Sequence, residues 1–258
     1  MDLRDRVAVV VGGGGDIGVA VARRFAAEGA RLVLAEDSAP SPARPAAASA
    51  GDPAAAETIA LDLASEEEVR DAIARTIAGL GGIDVLVNVG EFSEGAGPDE
   101  PGPLAWQQRL RHLTSCACWC RAAAPAMRAR GRGRIVNIAA SAGRYRSAWL
   151  SSEGAGSGAA VAAAAGGVLA LTRELAFELG PDGVTVNAVV PGWIRTAGSE
   201  RAWQEMSARA REHLLAEISL GRPGRADEVA GAVLFLASEA SSYVSGIALD
   251  VNGGWWMS

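Results

Sequence analysis

Five apolar residues, Val7–Val11, run directly into four glycines, Gly12–Gly15, and then into a segment with helical spacing. Few folds accept that order. A strand that ends on glycines and restarts as a helix leaves backbone N–H groups and a helix N-terminus bare at the turn, a setting suited to a pyrophosphate. The spacing G-x-G-x-x-G falls on Gly13, Gly15 and Gly18. A glycine-rich turn that holds nothing is the plainer reading of the same residues.

The rest of the chain repeats the strand-then-helix rhythm. Apolar runs predict strands at Arg31–Ala35, Val85–Val89, Arg134–Ile138, Val184–Val190 and Ala248–Val251. Helical spacing predicts helices at Gly18–Glu28, Ser65–Ala78, Trp106–Arg130, Val161–Leu179 and Asp227–Leu236. Ser65 with Glu68 reads as a capping box, and Gly180-Pro181 as a helix stop. Apolar strands alternating with helices imply an α/β fold: one Rossmann-like, doubly wound parallel sheet of about seven strands, helices on both faces, over residues 1–258. The Pro/Ala-rich stretch 38–56, the Gly/Pro-rich stretch 93–103 and the small-residue stretch 151–160 read as surface loops.

Composition narrows the partners. A net charge of −6 and a pI of about 5.1 argue against nucleic acid. No apolar run reaches the roughly 18 residues of a membrane span, and the N-terminus enters a strand at once, so a cytoplasmic protein without a signal peptide is expected. Cys116, Cys118 and Cys120 share one predicted helix. Three ligands at that spacing do not close around one ion, so buried thiols and no metal site are expected.

Taken together, these segments resemble the short-chain dehydrogenase/reductase family, whose turn reads T-G-x-x-x-G-x-G. Gly12 and Gly18 match; Val11 stands for the threonine and Asp16 for the middle glycine. Asp62-Leu63 is similar to the family's adenine-contacting pair, and Val87-Asn88-Val89-Gly90 to its N-N-A-G motif. Asn187–Thr196, Arg222–Val229 and Asp250–Gly254 match later signatures, so the likeness runs from residue 5 to about 254. It implies a cofactor site of Gly12, Gly15, Ile17, Gly18, Glu36, Asp62, Leu63, Asn88, Gly90, Pro191, Gly192 and Thr196. Glu36, at a strand end, favours NAD over NADP because a carboxylate takes ribose hydroxyls and repels a 2′-phosphate. Asp16 opposes binding: a carboxylate beside a pyrophosphate costs on the order of a few kcal/mol unless it turns outward. The expectation is weakened NAD(H) binding or no cofactor.

The resemblance also implies an Asn-Ser-Tyr-Lys tetrad, and the chain departs from it. The four positions fall on His112, Ala140, Val161 and Ala165; counting from the other anchor puts the Tyr-Lys pair on Glu153 and Ser157. Acid–base groups contribute typically about 10²–10⁴-fold each, so an atypical member with little hydride-transfer catalysis is expected. Substitutes within reach are Tyr145, His112 and Ser141, with Arg144 and Arg146 beside the tyrosine as anion-binding groups. Trp149, Trp193 and Trp203 suggest a substrate pocket under a lid at about 193–220, where Trp203, Met206, Ala210 and Leu214 recur at helical spacing. Packing is the plainer reading of each. Trp255 and Trp256 suggest a subunit contact, as do the helices 106–130 and 161–179, giving a dimer or tetramer with itself or a relative.

Three functions follow, in order of expectation. The first is a non-redox binder of a small molecule, or a lyase, isomerase or cyclase working in the old cleft. The second is a catalytically silent subunit paired with an active relative. The third is an NAD-dependent oxidoreductase with a relocated proton donor.

Overall fold

The computed structural model describes residues 1–38, 57–90, 103–145 and 158–257. Strand β1 (Val7–Val11) turns into α1 (Asp16–Ala27), followed by β2 (Arg31–Asp37), β3 (Glu57–Leu61), α2 (Glu66–Leu80), β4 (Val85–Asn88) and α3 (Pro103–Ala129). Then come β5 (Gly133–Ile138), a 3₁₀ turn at Ser141–Gly143, α4 (Ala159–Leu179) and β6 (Val184–Pro191). The C-terminal part holds β7 (Ile194–Arg195), α5 (Ala197–Glu205), α6 (Ala208–Glu217), β8 (Gly224–Arg225), α7 (Ala226–Ala237) and β9 (Ala248–Val251).

Seven strands form one sheet in the order β3-β2-β1-β4-β5-β6-β9, every pair parallel. Both faces are covered, and the side-chain alternation of a strand shows it. Ala8 and Val10 join a core with Phe25 of α1 and Val233 of α7, while Val9 and Val11 join a second core with Ile73, Trp119 and Leu179. This is why β1 reads as an unbroken apolar run. The expected seven-stranded Rossmann-like architecture is what the chain adopts.

The differences from the sequence reading are local. β3 escaped it because only Ile59 and Leu61 of this edge strand are buried, which leaves no apolar run to see. α2 starts at Glu66 with Ser65 as its cap, and Ser65 Oγ accepts from Glu68 N–H at 3.4 Å. The reciprocal half of the box is not made. Glu68 Oε2 instead accepts from Asp62 N–H at 3.0 Å, while Ser65 N–H donates to Asp62 O. The 193–220 region holds two helices, because Met206 is extended and Ser207 caps a new one. Finally, Ala159–Asp182 does have the length and apolarity of a membrane span; in the fold, α4 spends that apolarity on packing, with Val168 and Leu169 in one buried cluster and Leu175 and Leu179 in another. Of the three loops expected, 39–56, 93–102 and 151–157 lie outside the described residues, while Pro103 already belongs to α3 and Ala159 and Ala160 to α4.

A buried polar bridge holds α4 to the sheet. Asn88 Nδ2 of β4 donates to Asn137 Oδ1 of β5 at 2.8 Å, and Asn137 Nδ2 donates to Thr172 Oγ1 of α4 at 3.0 Å. All three side chains are excluded from water. Replacing Asn137 by alanine takes one bond from each partner, leaving Thr172 Oγ1 on Val168 O and Asn88 Nδ2 on Cys120 Sγ, so Asn137→Ala is expected to lower stability by about 1–3 kcal/mol, read from the midpoint of urea unfolding.

Candidate functional site

The carboxyl ends of the central strands converge where β1 meets β4, the point at which the winding of the sheet reverses. The glycine turn sits there. Gly12 has φ +75°, and a Cβ on it would lie 2.3 Å from Val89 O. A Cβ on Gly18 would lie 2.5 Å from Gly12 O, so α1 rests directly on the turn. Gly15 is the N-cap residue of α1 with no side-chain bond, and Ile17 packs on the core below. The α1 N-terminus is therefore framed by backbone alone.

Glu36 leans toward this turn: a Cβ on Gly14 would lie 3.1 Å from Glu36 Oε2. Its Oε1 is buried and without a hydrogen-bond partner. Next to it, Arg111 of α3 spans two carboxylates, Asp37 at 3.1 Å and Asp62 at 2.7 Å. Asp62 also closes a turn by accepting from Ala64 N–H, with Leu63 buried behind. Sequence reasoning missed this clamp, since nothing along the chain places α3 against the ends of β2 and β3. Gly192 passes under Asn252, to whose Cα a Cβ would come within 2.7 Å, and Pro191 ends β6. The Thr196 hydroxyl is engaged in capping α5, through a reciprocal pair with Ser199.

Asp16 turns away from the glycines. Its Oδ2 accepts from Ala197 N–H, the first residue of α5, at 2.6 Å. Asn88 faces downward into the Asn137 bridge. Gly90 makes room for a side chain: the His112 ring occupies the space a Cβ would need there, about 2.3–2.5 Å away.

His112 is packed on its other sides too. Nε2–H donates to Ile138 O at 3.1 Å, and Cys116 Sγ lies 3.4 Å from Nε2 and 3.8 Å from Nδ1. Burial holds the imidazole pKa down to about 4, against the pull of the Ile138 carbonyl. Burial likewise pushes the Cys116 thiol well up and Cys120 up to about 12, as expected of buried thiols; Cys118 is half-buried.

The structure brings together the two segments on which the tetrad register depends. A Cβ on Gly143 would touch the Ala165 carbonyl carbon at 2.7 Å, so the turn after β5 lies on α4 at Ala165. Val161 and Ala165 are buried on that face, and Ala140 precedes the turn. Glu153 and Ser157 lie outside the described residues, as do Arg146 and Trp149.

Beyond Ser141, the backbone makes one more turn and delivers Tyr145. Its hydroxyl donates to Asp250 Oδ2 of β9 at 3.4 Å, and its ring stacks on Trp256 at 5.4 Å. Arg144 bonds the same Oδ2 at 2.8 Å and lies over the Tyr145 ring. Asp250 Oδ1 is buried and unpartnered. Asp250 was visible only as part of a C-terminal motif; its meeting with Tyr145 bridges 105 residues.

The aromatic pocket needs correction. Trp193 is buried with Met206, Ala210, Leu214 and Trp255 in a core that the lid shares with the tail after β9. Trp203 stands partly outside it, between Arg195 and Arg211. Trp255 donates from Nε1 to Glu217 at 3.0 Å, within its own chain. The helical recurrence expressed packing.

Comparison with known proteins supplies what the geometry leaves open. Residues 14–256 match a family model described as enoyl-(acyl carrier protein) reductase. A probable galactose dehydrogenase of Rhizobium meliloti is 35% identical, over 98% of this chain and 96% of its own. A 3-oxoacyl-(acyl-carrier-protein) reductase of Thermotoga maritima is 30% identical, over 98% and 99%. A solved gluconate 5-dehydrogenase from Burkholderia cenocepacia, in complex with NADP and tartrate, has a TM-score of 0.84 at 30% identity, over 98% and 96% of the two chains. These matches overturn two expectations from the sequence: a non-redox binder or lyase, and a silent subunit. Whole-length similarity to named dehydrogenases and reductases points to redox chemistry, which the inspection of four side-chain positions could not weigh.

The depressed His112 pKa carries a consequence for stability. An imidazole at about 4 in the fold and near 6.5 when unfolded lets the unfolded chain bind the extra proton first. Its contribution is complete above pH 6.5 and is lost as pH falls toward 4. Unfolding midpoints of His112→Gln are therefore expected to vary less over pH 6.5–4 than those of the parent chain.

Proposed function

The chain belongs to the short-chain dehydrogenase/reductase family, and on that premise we propose that it is an NAD-dependent oxidoreductase of secondary alcohols whose proton donor has moved to Tyr145. The observation that carries the cofactor half is the buried, unpartnered Glu36 Oε1 against a bare glycine turn. A lone acceptor in that place suits a ribose hydroxyl. Glu36 with Asp37 behind it also disfavours a 2′-phosphate, although the Burkholderia relative was solved with NADP. The residues present thus fit a nicotinamide dinucleotide: Gly12, Gly15, Ile17 and Gly18 would face its pyrophosphate, Glu36 its adenosine ribose, Asp62 and Leu63 its base, and Gly90, Pro191, Gly192 and Thr196 its other half. When bound, that group accepts or supplies a hydride.

The chain's own task is then to exchange one proton with the substrate oxygen. Ala140, Val161 and Ala165 offer hydrocarbon only. His112 has its Nε2–H committed to Ile138 O and Cys116 beside the ring. Tyr145 has an O–H with an acceptor that is itself half-satisfied. In the oxidation direction, Tyr145 takes the proton of the alcohol as its own proton moves to Asp250 Oδ2; reduction runs the reverse. Arg144 holds Asp250 in place for that transfer. Sugars and hydroxy acids are the first substrates to assay, because a galactose dehydrogenase and a gluconate dehydrogenase are among the relatives. The enzyme works in the cytoplasm as a dimer or tetramer built on α3 and α4, where Phe177 is 86% exposed on the outer face.

Two measurements test the reading. NADH at millimolar concentration is expected to raise the melting temperature and NADPH to do so less, with Glu36→Ala weakening NADH by about tenfold; no response to either dinucleotide removes the cofactor half. Tyr145→Phe keeps the stack on Trp256 and loses the proton. Its turnover with NAD and a responsive alcohol is expected to fall about 10²–10⁴-fold, and unchanged turnover clears Tyr145.

A further inference from the structure

We propose that Asp16 is a positioning residue that latches the lid to the glycine turn and couples its closure to the cofactor. The inference rests on the dinucleotide reading above. Asp16 is the first residue of α1, exposed, at the edge of the turn where the phosphates would lie. Its carboxylate reaches across 181 residues to a single backbone donor, Ala197 N–H, at 2.6 Å. Ala197 opens α5, so the carboxylate sits at the positive end of a nine-residue helix and accepts one of the N–H groups that the helix leaves unbonded.

The surroundings show that this is a point contact. The contact stands at an open groove of about 370 Å³ between α1, α5 and α7, lined by Val19, Arg23, Arg195, Glu200 and Asp227 as well as by Asp16 and Ala197. The start of the lid therefore stands off from α1 and is tied to it at its rim. The far end of the lid is pinned to the tail after β9, where Leu220 N–H and Ser219 Oγ donate to the Gly253 and Gly254 carbonyls and Trp255 completes the core around Trp193, Met206 and Leu214, so the movement at issue is that of the α5 start alone.

The charge gives the latch a direction. A pyrophosphate at the turn repels the Asp16 carboxylate. The low-energy escape is toward the α5 N-terminus, where the carboxylate already rests. Bound phosphates therefore strengthen the Asp16–Ala197 bond, and by reciprocity a docked lid lowers the penalty that Asp16 imposes on the phosphates. The residue that departs from the family's glycine thus acts as a coupling device. Part of the binding free energy of the cofactor goes into holding the lid down.

Amide hydrogen exchange on the full-length chain reads the latch without any turnover. In the absence of cofactor, Ala197 N–H is expected to exchange about tenfold faster in Asp16→Ala than in the parent chain, while Asp16→Asn, which keeps an acceptor but not the charge, stays closer to the parent. Saturating NADH is expected to slow Ala197 further in the parent. In Asp16→Asn, NADH is expected to bind about tenfold more tightly, an advantage that shrinks with added salt, and to leave Ala197 unslowed. Equal Ala197 exchange in the parent and Asp16→Ala overturns the latch. Equal slowing by NADH in the parent and Asp16→Asn overturns the coupling. If neither protein binds NADH, the oxidoreductase reading fails and the coupling with it, while the cofactor-free comparison still decides whether the latch exists.

Discussion

Two absent side chains hold this fold together. At Gly12 the backbone of β1 comes so close to Val89 that a methyl group would strike its carbonyl, and at Gly18 the first turn of α1 lies on the backbone of Gly12 and Gly13. These approaches fix β1, β4 and α1 against one another at the carboxyl edge of the sheet. Three of the candidate residues are arranged around that junction: Glu36 leans over Gly14, His112 fills the space above Gly90, and Asp16 projects from the same turn toward the lid. A fold with a bulkier turn would lose the crevice and, with it, the register between the strands that flank it.

The legibility of the chain follows from the same physics. Strands buried on both faces announce themselves, which is why β1 falls on the residues expected from the sequence and β5 and β6 within one residue of them. β3 is an edge strand with one wet face and gave no such signal. The capping box at Ser65 was half right, because Glu68 had a nearer donor in Asp62 N–H that no local rule anticipates. The recurrence from Trp203 to Leu214 was real as burial but not as one helix, since an extended Met206 keeps its side chain in the core while the backbone changes direction.

The site was legible in parts for similar reasons. Motifs within one turn, such as Gly12–Gly18 or Asp62-Leu63, could be read from neighbours in sequence. Contacts that join distant elements could not: Arg111 with Asp37 and Asp62, Asp16 with Ala197, Tyr145 with Asp250. The inference of lost catalysis failed at this level. It treated the four tetrad positions as the whole of the proton chemistry, whereas a proton needs only a path. Such a path can be built from residues that no motif groups together.

Two groups compete for that path, and their environments separate them. Burial keeps His112 neutral down to about pH 4, its Nε2–H is spent on a backbone carbonyl, and a buried thiol lies against the ring. Moving a proton through it means breaking the bond to Ile138 O first. Tyr145 is the opposite case. Its hydroxyl points at a carboxylate that keeps one buried oxygen unsatisfied and is held by Arg144. In the proposed relay the phenol passes its proton to Asp250 only as it takes the alcohol's, so no phenolate forms beside the carboxylate.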